Sequence, residues 1–570
     1  MYLRIIVFFQ VILVAGCGGG LSDSEKINVF KADLLSYSSD NNLISSLSND
    51  GNEEKVVVSF ESSETVSIAS GLVSTKQLNW EVEFNFKDNT SLTIGAIGGE
   101  LPVTFDAVGN PVTPLSRAFT IELPYDGLIT WTTKGRNGSG TDIPATPVIA
   151  NSGSNTFIAH GLYRSGSTSV DVEYLNAAGA SRYSKSMQVN HPEYNANIDH
   201  DVTISSFINT QPESLRLFLM KQRAFNNALF MVDQFGDMRW FLKSPETVGY
   251  GVQQTVRGTI LWADTYKIWE FSVDGDEITN ISIPEEYGAI HHDIVDLGDR
   301  KFLLTVSNPD PDSETIHDFI ILFDAADGVV ERSWDLNQSV PKTSYYIHDD
   351  ECWFHNNAIE IDPTSNALLL SGQRLGVVKV SWDNELLWML TDPLRYQDAS
   401  SELQEKILFN PFGDVITWGQ HDIRYDSDDD MYYLFDNGRG RNYEQTEIFS
   451  RGVKFKVNED DFTFEILETF GEEYPDLHSP IISGIDYNIK GSVLLNFGSI
   501  GYYIPYSSPT DTFTSVWKSP QPDHGTVIQE YSSEQDLILD VRLSGKNKEG
   551  KGKDKDPGTY RVRYSELYPN

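Results

Sequence analysis

Two cysteines in 570 residues exclude a scaffold stapled by several disulfides. One of them, Cys17, closes an export-like leader, which leaves Cys352 without an internal partner, so stability has to come from packing. Basic residues are also scarce. Against 83 Asp and Glu there are 43 Lys and Arg, a formal charge of −40 that repels phosphate backbones and excludes nucleic acid as a partner. Sustained helical periodicity is missing beyond the N-terminus, and the leading apolar run from Ile5 to Val14 is too short to span a bilayer. What remains is Tyr, Phe, Val and Ile in short runs broken by Gly, Asn, Asp and Ser, the signature of an all-β protein of two or three domains.

Arg4, the run Ile5 to Val14 and Ala15-Gly16-Cys17 read as a secretory signal. Val14-Ala15-Gly16-Cys17 resembles a bacterial lipobox, which implies residues 1–17 as a lipoprotein signal, a mature chain beginning at lipidated Cys17, and membrane attachment through that lipid. Gly18 after the cysteine implies the outer membrane, with the protein in the periplasm or on the cell surface. Residues 18–54, rich in Ser, Asn and Asp, suit a flexible tether.

Alternating strands begin near Lys55. Val56 to Phe60, Leu78 to Phe86, Ala118 to Ile121, Gly127 to Trp131 and Val170 to Tyr174 predict one or two β-sandwich modules over 55–195. From 196 to 570 a looser repeat sets in: an apolar strand, an acidic or Gly turn, and a second strand ending in Trp or Leu. Its copies include Phe230 to Trp240, Trp269 to Ile278, Ile321 to Trp334, Val378 to Trp388 and Val453 to Asn458, and units of this length predict a β-propeller of six or seven blades. Thr391 to Asn410 reads as an insertion over one mouth of the channel, and Lys546 to Lys555 as a surface loop. Asp426, Asp428 and Asp430 alternate like the first ligands of a calcium loop, but Met431 and Asn437 stand where that loop needs Gly and Glu, so a charged turn is the reading.

Inner strands of a propeller line one axis, so residues a blade apart converge. His292, His355 and His421 each adjoin strand-like sequence at such intervals, with His291 and Asp293, Asn357 and Gln420 as polar companions. The other histidines, among them His160 and His478, read as structural or surface residues. Three imidazoles make either a zinc set or a nucleophile with helpers. The spacings lack a local ligand pair, and Asn357 suits an oxyanion better than zinc, yet on residues alone the two readings stand nearly level.

Several segments in order decide between them. His292-Asp293, Trp353-Phe354-His355-Asn356-Asn357, Gly376 to Val380, Gln420-His421, Phe435 to Arg441, Ser479-Pro480-Ile481 and Thr559-Tyr560-Arg561 resemble, from about Pro102 onward, the bacterial arylsulfate sulfotransferases. The resemblance implies a small β-sandwich followed by a six-bladed propeller, and leaves roughly Lys55 to Leu101 as an addition. It implies His421 as the nucleophile that becomes sulfated by a phenolic sulfate donor, then hands the sulfuryl group to a phenolic acceptor. His292 and His355 would assist, and Asn357 and Tyr560 would line the sulfate site, with neither a nucleotide sulfate donor nor a metal as cofactor. One departure stands out. Where the family reads Ser-Ser-Arg-His, with the arginine binding sulfate, this chain reads Ser371-Gly372-Gln373-Arg374, which leaves Arg374 as the substrate-binding candidate one residue on; on a strand that shift turns the side chain to the opposite face unless a bulge restores it. Two rival readings are a hydrolase or metal enzyme on the same histidines, and a non-catalytic surface propeller that binds a glycan or protein. A homo-oligomer is compatible with all of them.

Overall fold

The structure, a computed structural model, describes five strands between 44 and 96 and residues 103–569, except 107–108, 124–126, 137–139, 152, 176–180, 192–200, 210–214, 223–227, 311–314, 316–317, 342–352, 444–448, 489–490, 501–524 and 547–557. The leader, Cys17, Cys352 and most of the Lys546 to Lys555 loop lie outside the described residues. Two compact units emerge, Met1–Asn110 with Leu115–Glu193, and Pro111–Pro114 with Tyr194–Asn570.

In the first unit, strands Arg117–Leu123, Val103–Phe105 and Gly153–Ala159 form one sheet, and Gly127–Thr133, Val148–Ala150, Gly166–Leu175 and Ser181–His191 lie in another. Alternation decides how they face: Arg117, Phe119, Ile121 and Leu123 are buried while the residues between them are not. Phe119 on one sheet meets the Trp131 ring of the other edge-on, with centroids 5.3 Å apart, so the two sheets form a sandwich. Five further strands form an antiparallel meander from Ile44–Asn49 to Ser91–Ala96. Its first strand, Ile44–Asn49, falls inside the stretch whose composition suggests a tether.

Six sheets make up the second unit among the described residues. Their inner strands are Thr559–Tyr564 for blade one, Tyr250–Gln254 for blade two, Ile290–Asp296 for blade three, Asn356–Asp362 for blade four, His421–Asp426 for blade five and Gly484–Tyr487 for blade six. Each inner strand packs beside the next, and blade two's packs beside blade one's, so the ring closes as a propeller. Blade one takes its inner strand from the end of the chain, pairing Leu217–Gln222 with Thr559–Tyr564.

The repeated hairpin is the outer pair of strands in a blade, as in Ala228–Asp233 with Met238–Lys243 or Gly376–Ser381 with Leu386–Thr391. Its tryptophan has a structural reason. The indole N–H of Trp240 donates to Val273 O of blade two at 2.9 Å, that of Trp334 to Trp382 O of blade four at 3.1 Å, and that of Trp388 to Glu459 of blade five at 2.9 Å. Each buried ring therefore clips the outer strand of one blade to the outer hairpin of the next.

The insertion after Thr391 does not roof the channel. Tyr396, Leu403 and Ile407 are buried in the core of blades three and four, and Ile407 bridges Met389 on the outer strand of blade four. Its apolar side chains draw it onto the rim. Asp428 and Asp430 stand in the turn after Asp426, where Asp430 accepts the Tyr425 hydroxyl and pairs with Lys456.

Candidate active site

A regular strand sends neighbouring side chains to opposite faces, so a histidine and the aspartate after it do not ordinarily serve one site. Here the inner strands break that rule where they begin. Register shifts interrupt them between Ile290 and Ile294, between Asn356 and Ala358, and between His421 and Ile423. His292, His355 and Asp422 adopt φ of +50°, +57° and +65°, a left-handed backbone that costs these residues about 1–2 kcal/mol each. On the last strand, Tyr560 and Arg561 oppose a single residue, Lys221. Each bulge lets consecutive residues contribute to the channel, and strained backbone clustered at one end of a fold is characteristic of a functional site.

The result is two layers. In the first, the ring of His292 lies 4.7 Å from that of His355 and 5.9 Å from that of Tyr560, and the Tyr560 ring lies 6.2 Å from His421. Tyr250 of blade two stacks on His292 at 5.5 Å. Exposure falls from 40% at Tyr250, through the half-buried His292 and His355, to 3% at His421, so the opening lies on the side of Tyr250.

The second layer is ionic. Arg561 pairs with Asp293 and reaches Asp422 at 3.6 Å, and Arg563 bonds Asp422 at 2.8 Å. Burial opposes the charge on Arg561, yet the two carboxylates outweigh it and raise its pKa. Asp422 shows the converse: burial pushes its carboxyl up, but Arg561, Arg563 and Arg424 prevail and hold it below its ordinary value. The same carboxylates stitch blades together, since Asp293 accepts Ile359 N–H at 2.9 Å and Asp422 accepts Ile485 N–H at 3.1 Å. Two residues farther along blade five, Arg424 pairs with Glu360 at 3.0 Å.

His421 is held at both nitrogens. Nδ1 lies 2.9 Å from Asn437 Oδ1, and Nε2 accepts the Ile482 N–H at 3.2 Å. Burial pushes the imidazole down to about 4. The Tyr560 hydroxyl donates to Asn357 O at 3.3 Å, and burial raises its pKa well above that of an ordinary phenol.

His292, His355, His421 and Tyr560 therefore meet around one opening. Asn357 sits beside them, buried, and one of its two amide N–H groups donates to Gln420 O at 2.9 Å, fixing the residue before His421. Arg374 is not on a strand. Leu375 N–H donates to Gly372 O across Gln373 and Arg374, a tight turn, and Gln373 N–H donates to His355 O at 3.1 Å. Strand parity thus does not govern where the Arg374 side chain points. Tyr250 and the backbone of Ile482 were not singled out by sequence reasoning, and Asn437 entered it only within the Phe435 to Arg441 segment and as a position unsuited to a calcium loop. Tyr250 stands about one blade repeat before His292, which was the available signal, whereas Asn437 and Ile482 are linked to His421 only by tertiary contacts. Among the described residues, no group of three His, Cys, Asp or Glu side chains is arranged to hold a metal ion.

A family model described as Arylsulfotransferase (ASST) matches residues 205–549. An arylsulfate sulfotransferase of Escherichia coli O6:H1 is 25% identical over 385 residues, which cover 55% of this chain and 63% of that protein. One from Lelliottia amnigena is 24% identical over 350 residues, covering 48% of this chain and 58% of the relative. The matched chain thus spans less than two thirds of either relative's length. Among solved structures, a protein of unknown function from Bacteroides caccae shares 11% identity over 62% of this chain and 99% of its own, with a TM-score of 0.37.

Proposed function

Because the chain belongs to the arylsulfotransferase family, we propose that it moves a sulfuryl group from an aryl sulfate ester to a phenolic acceptor, with His421 as the group that carries it. The observation that supports this reading is the state of His421: buried, uncharged near neutral pH, and held at both nitrogens beside two half-buried histidines. A neutral imidazole is a competent nucleophile, and a covalent intermediate splits one difficult displacement into two.

In the first half, Nε2 gives up the Ile482 N–H, its freed lone pair attacks sulfur, the N–S bond forms, and the S–O bond to the aryl group breaks. The electron pair leaves on the phenolic oxygen, which takes a proton from His292 or His355. The Ile482 N–H, already directed at Nε2, is then beside the sulfuryl oxygens and stabilises their charge. In the second half, an acceptor phenol gives its proton to the same imidazole and attacks sulfur, and the N–S electron pair returns to Nε2. Tyr250 and Tyr560 offer aromatic surfaces for both rings. Nothing in this sequence of steps calls for a nucleotide sulfate donor or a metal. Lipid on Cys17 would anchor the protein at the outer membrane, facing the periplasm or the exterior, where small phenols are accessible.

The test is phenol release from a chromogenic aryl sulfate by the full chain, with and without a second phenol, alongside His421→Ala. Release that rises with the acceptor and falls at least about a thousandfold in the variant is expected. Release indifferent to acceptor would mean hydrolysis, and full activity in the variant would remove His421 from the reaction.

A further inference from the structure

Asn437 follows the second strand of blade five and has no place in the bond-making steps above, yet its side chain makes the most completely determined set of contacts in the site. Its Nδ2 donates to Ser479 O at 2.6 Å and to Ile482 O at 2.9 Å. Two carbonyls on one side of the amide fix which end is nitrogen, so Oδ1 has to face His421 Nδ1 as an acceptor. Its backbone carbonyl is held as well, accepting the Ser450 hydroxyl at 2.7 Å, while Ser450 Oγ accepts Ser479 N–H at 2.8 Å. Ile482 N–H closes the circuit onto Nε2.

We propose that Asn437 is a positioning residue that selects the reactive form of His421. An acceptor at Nδ1 keeps the proton there and leaves Nε2 with the lone pair. The opposite tautomer would set a bare Nδ1 against Oδ1, two acceptors 2.9 Å apart, and an N–H at Nε2 against the Ile482 N–H. Asn437 also ties the nucleophile to the turn of Ile482 and Ser483, which is itself left-handed at φ of +52° and +96°. Asn437 therefore sets the tautomer and the position of the backbone donor next to it, while the Gly419 backbone also bonds the ring and the charges of Arg561 and Arg439 disfavour a second proton on it.

That the residue is an amide and not a carboxylate has a chemical consequence, which rests on the sulfuryl-transfer reading. An imidazole sulfated at Nε2 while protonated at Nδ1 is a cationic ring bearing an anionic group. A carboxylate at Nδ1 would stabilise that cation and slow its loss of the sulfuryl group, whereas a neutral amide orients the ring without that stabilisation. Asn437 thus favours an intermediate that transfers quickly.

The test reads the tautomer directly. With ¹⁵N-histidine in the full chain, the His421 signals, identified by their loss in His421→Ala, are expected at neutral pH to show a protonated Nδ1 and a bare Nε2. In Asn437→Ala that preference should be lost, and kcat for aryl sulfate turnover should fall by about a hundredfold or more with a smaller change in KM. Asn437→Asp keeps the acceptor but loses both donors. It should keep the wild-type tautomer, raise the pH at which the ring protonates, and turn over faster than Asn437→Ala. A proton on Nε2 in the wild type, or an unchanged tautomer in Asn437→Ala, overturns the proposal. So does Asn437→Asp being no better than Asn437→Ala, which would make loop anchoring the whole role. The spectrum does not depend on turnover, so a wild type with the expected tautomer and no sulfuryl transfer would refute the activity and leave the role of Asn437 intact.

Discussion

Burial makes His421 an unusual base: its imidazole protonates at about 4, against 6.5 for an exposed one. Between these values the unfolded chain binds the proton and the folded chain does not. Stability therefore rises with pH through this window, and the contribution of His421 is complete above about 6.5 and lost as pH falls toward 4. Denaturant midpoints at pH 7 and pH 5 should accordingly differ more in wild type than in His421→Gln. On the proposed reaction the nucleophile stays competent through pH 5, so the acid limb of donor kcat/KM should lie below the ordinary histidine range; a limb at 6.5 would assign it to another group. The three channel histidines were legible in the sequence because each adjoins an apolar run with a polar companion. The task of Asn437 was not, since it falls in the quoted Phe435 to Arg441 segment but nothing along the chain directs it at His421.

At the level of elements, the hairpin repeat with its tryptophans was readable because apolar strands and acidic turns recur in every copy. Bulges were not, because a residue count along a strand does not reveal where pairing skips a residue. They account for the pairs His292-Asp293, His421-Asp422 and Tyr560-Arg561, which look ordinary in sequence and supply two layers of one site. Expecting Arg374 on a strand failed for the same reason, since turn and strand are not told apart by parity alone. A comparable backbone demand falls on Gly438, at φ of +71°, where an added Cβ would come within 1.8 Å of Phe449 O. Gly438→Ala should destabilise the protein by about 3 kcal/mol and displace Asn437 beside it, measurable as a lower denaturant midpoint together with a lower kcat.

For the whole molecule, closure depends on residues brought from far apart in the chain. Thr559–Tyr564 is the inner strand of blade one and also supplies Arg561 and Arg563, the counter-charges of Asp293 and Asp422. Removing residues 559–570 would expose the edge of Leu217–Gln222 and take from two buried carboxylates their paired arginines, each such loss costing about 3–5 kcal/mol. The expected outcome is a chain recovered as aggregate, seen by sedimentation after expression, with no cooperative unfolding transition. The charges of that strand were not legible in the sequence, because their partners lie in blades three and five. The ion pairs have one more consequence. Asp293, Arg561, Asp422 and Arg563, with Glu360 and Arg424 beyond them, set a layer of paired charge on the inner strands next to the histidines. On the proposed reaction donor and acceptor both approach His421 past the exposed Tyr250, so a crowd of acceptor molecules waiting there would bar the donor from entering.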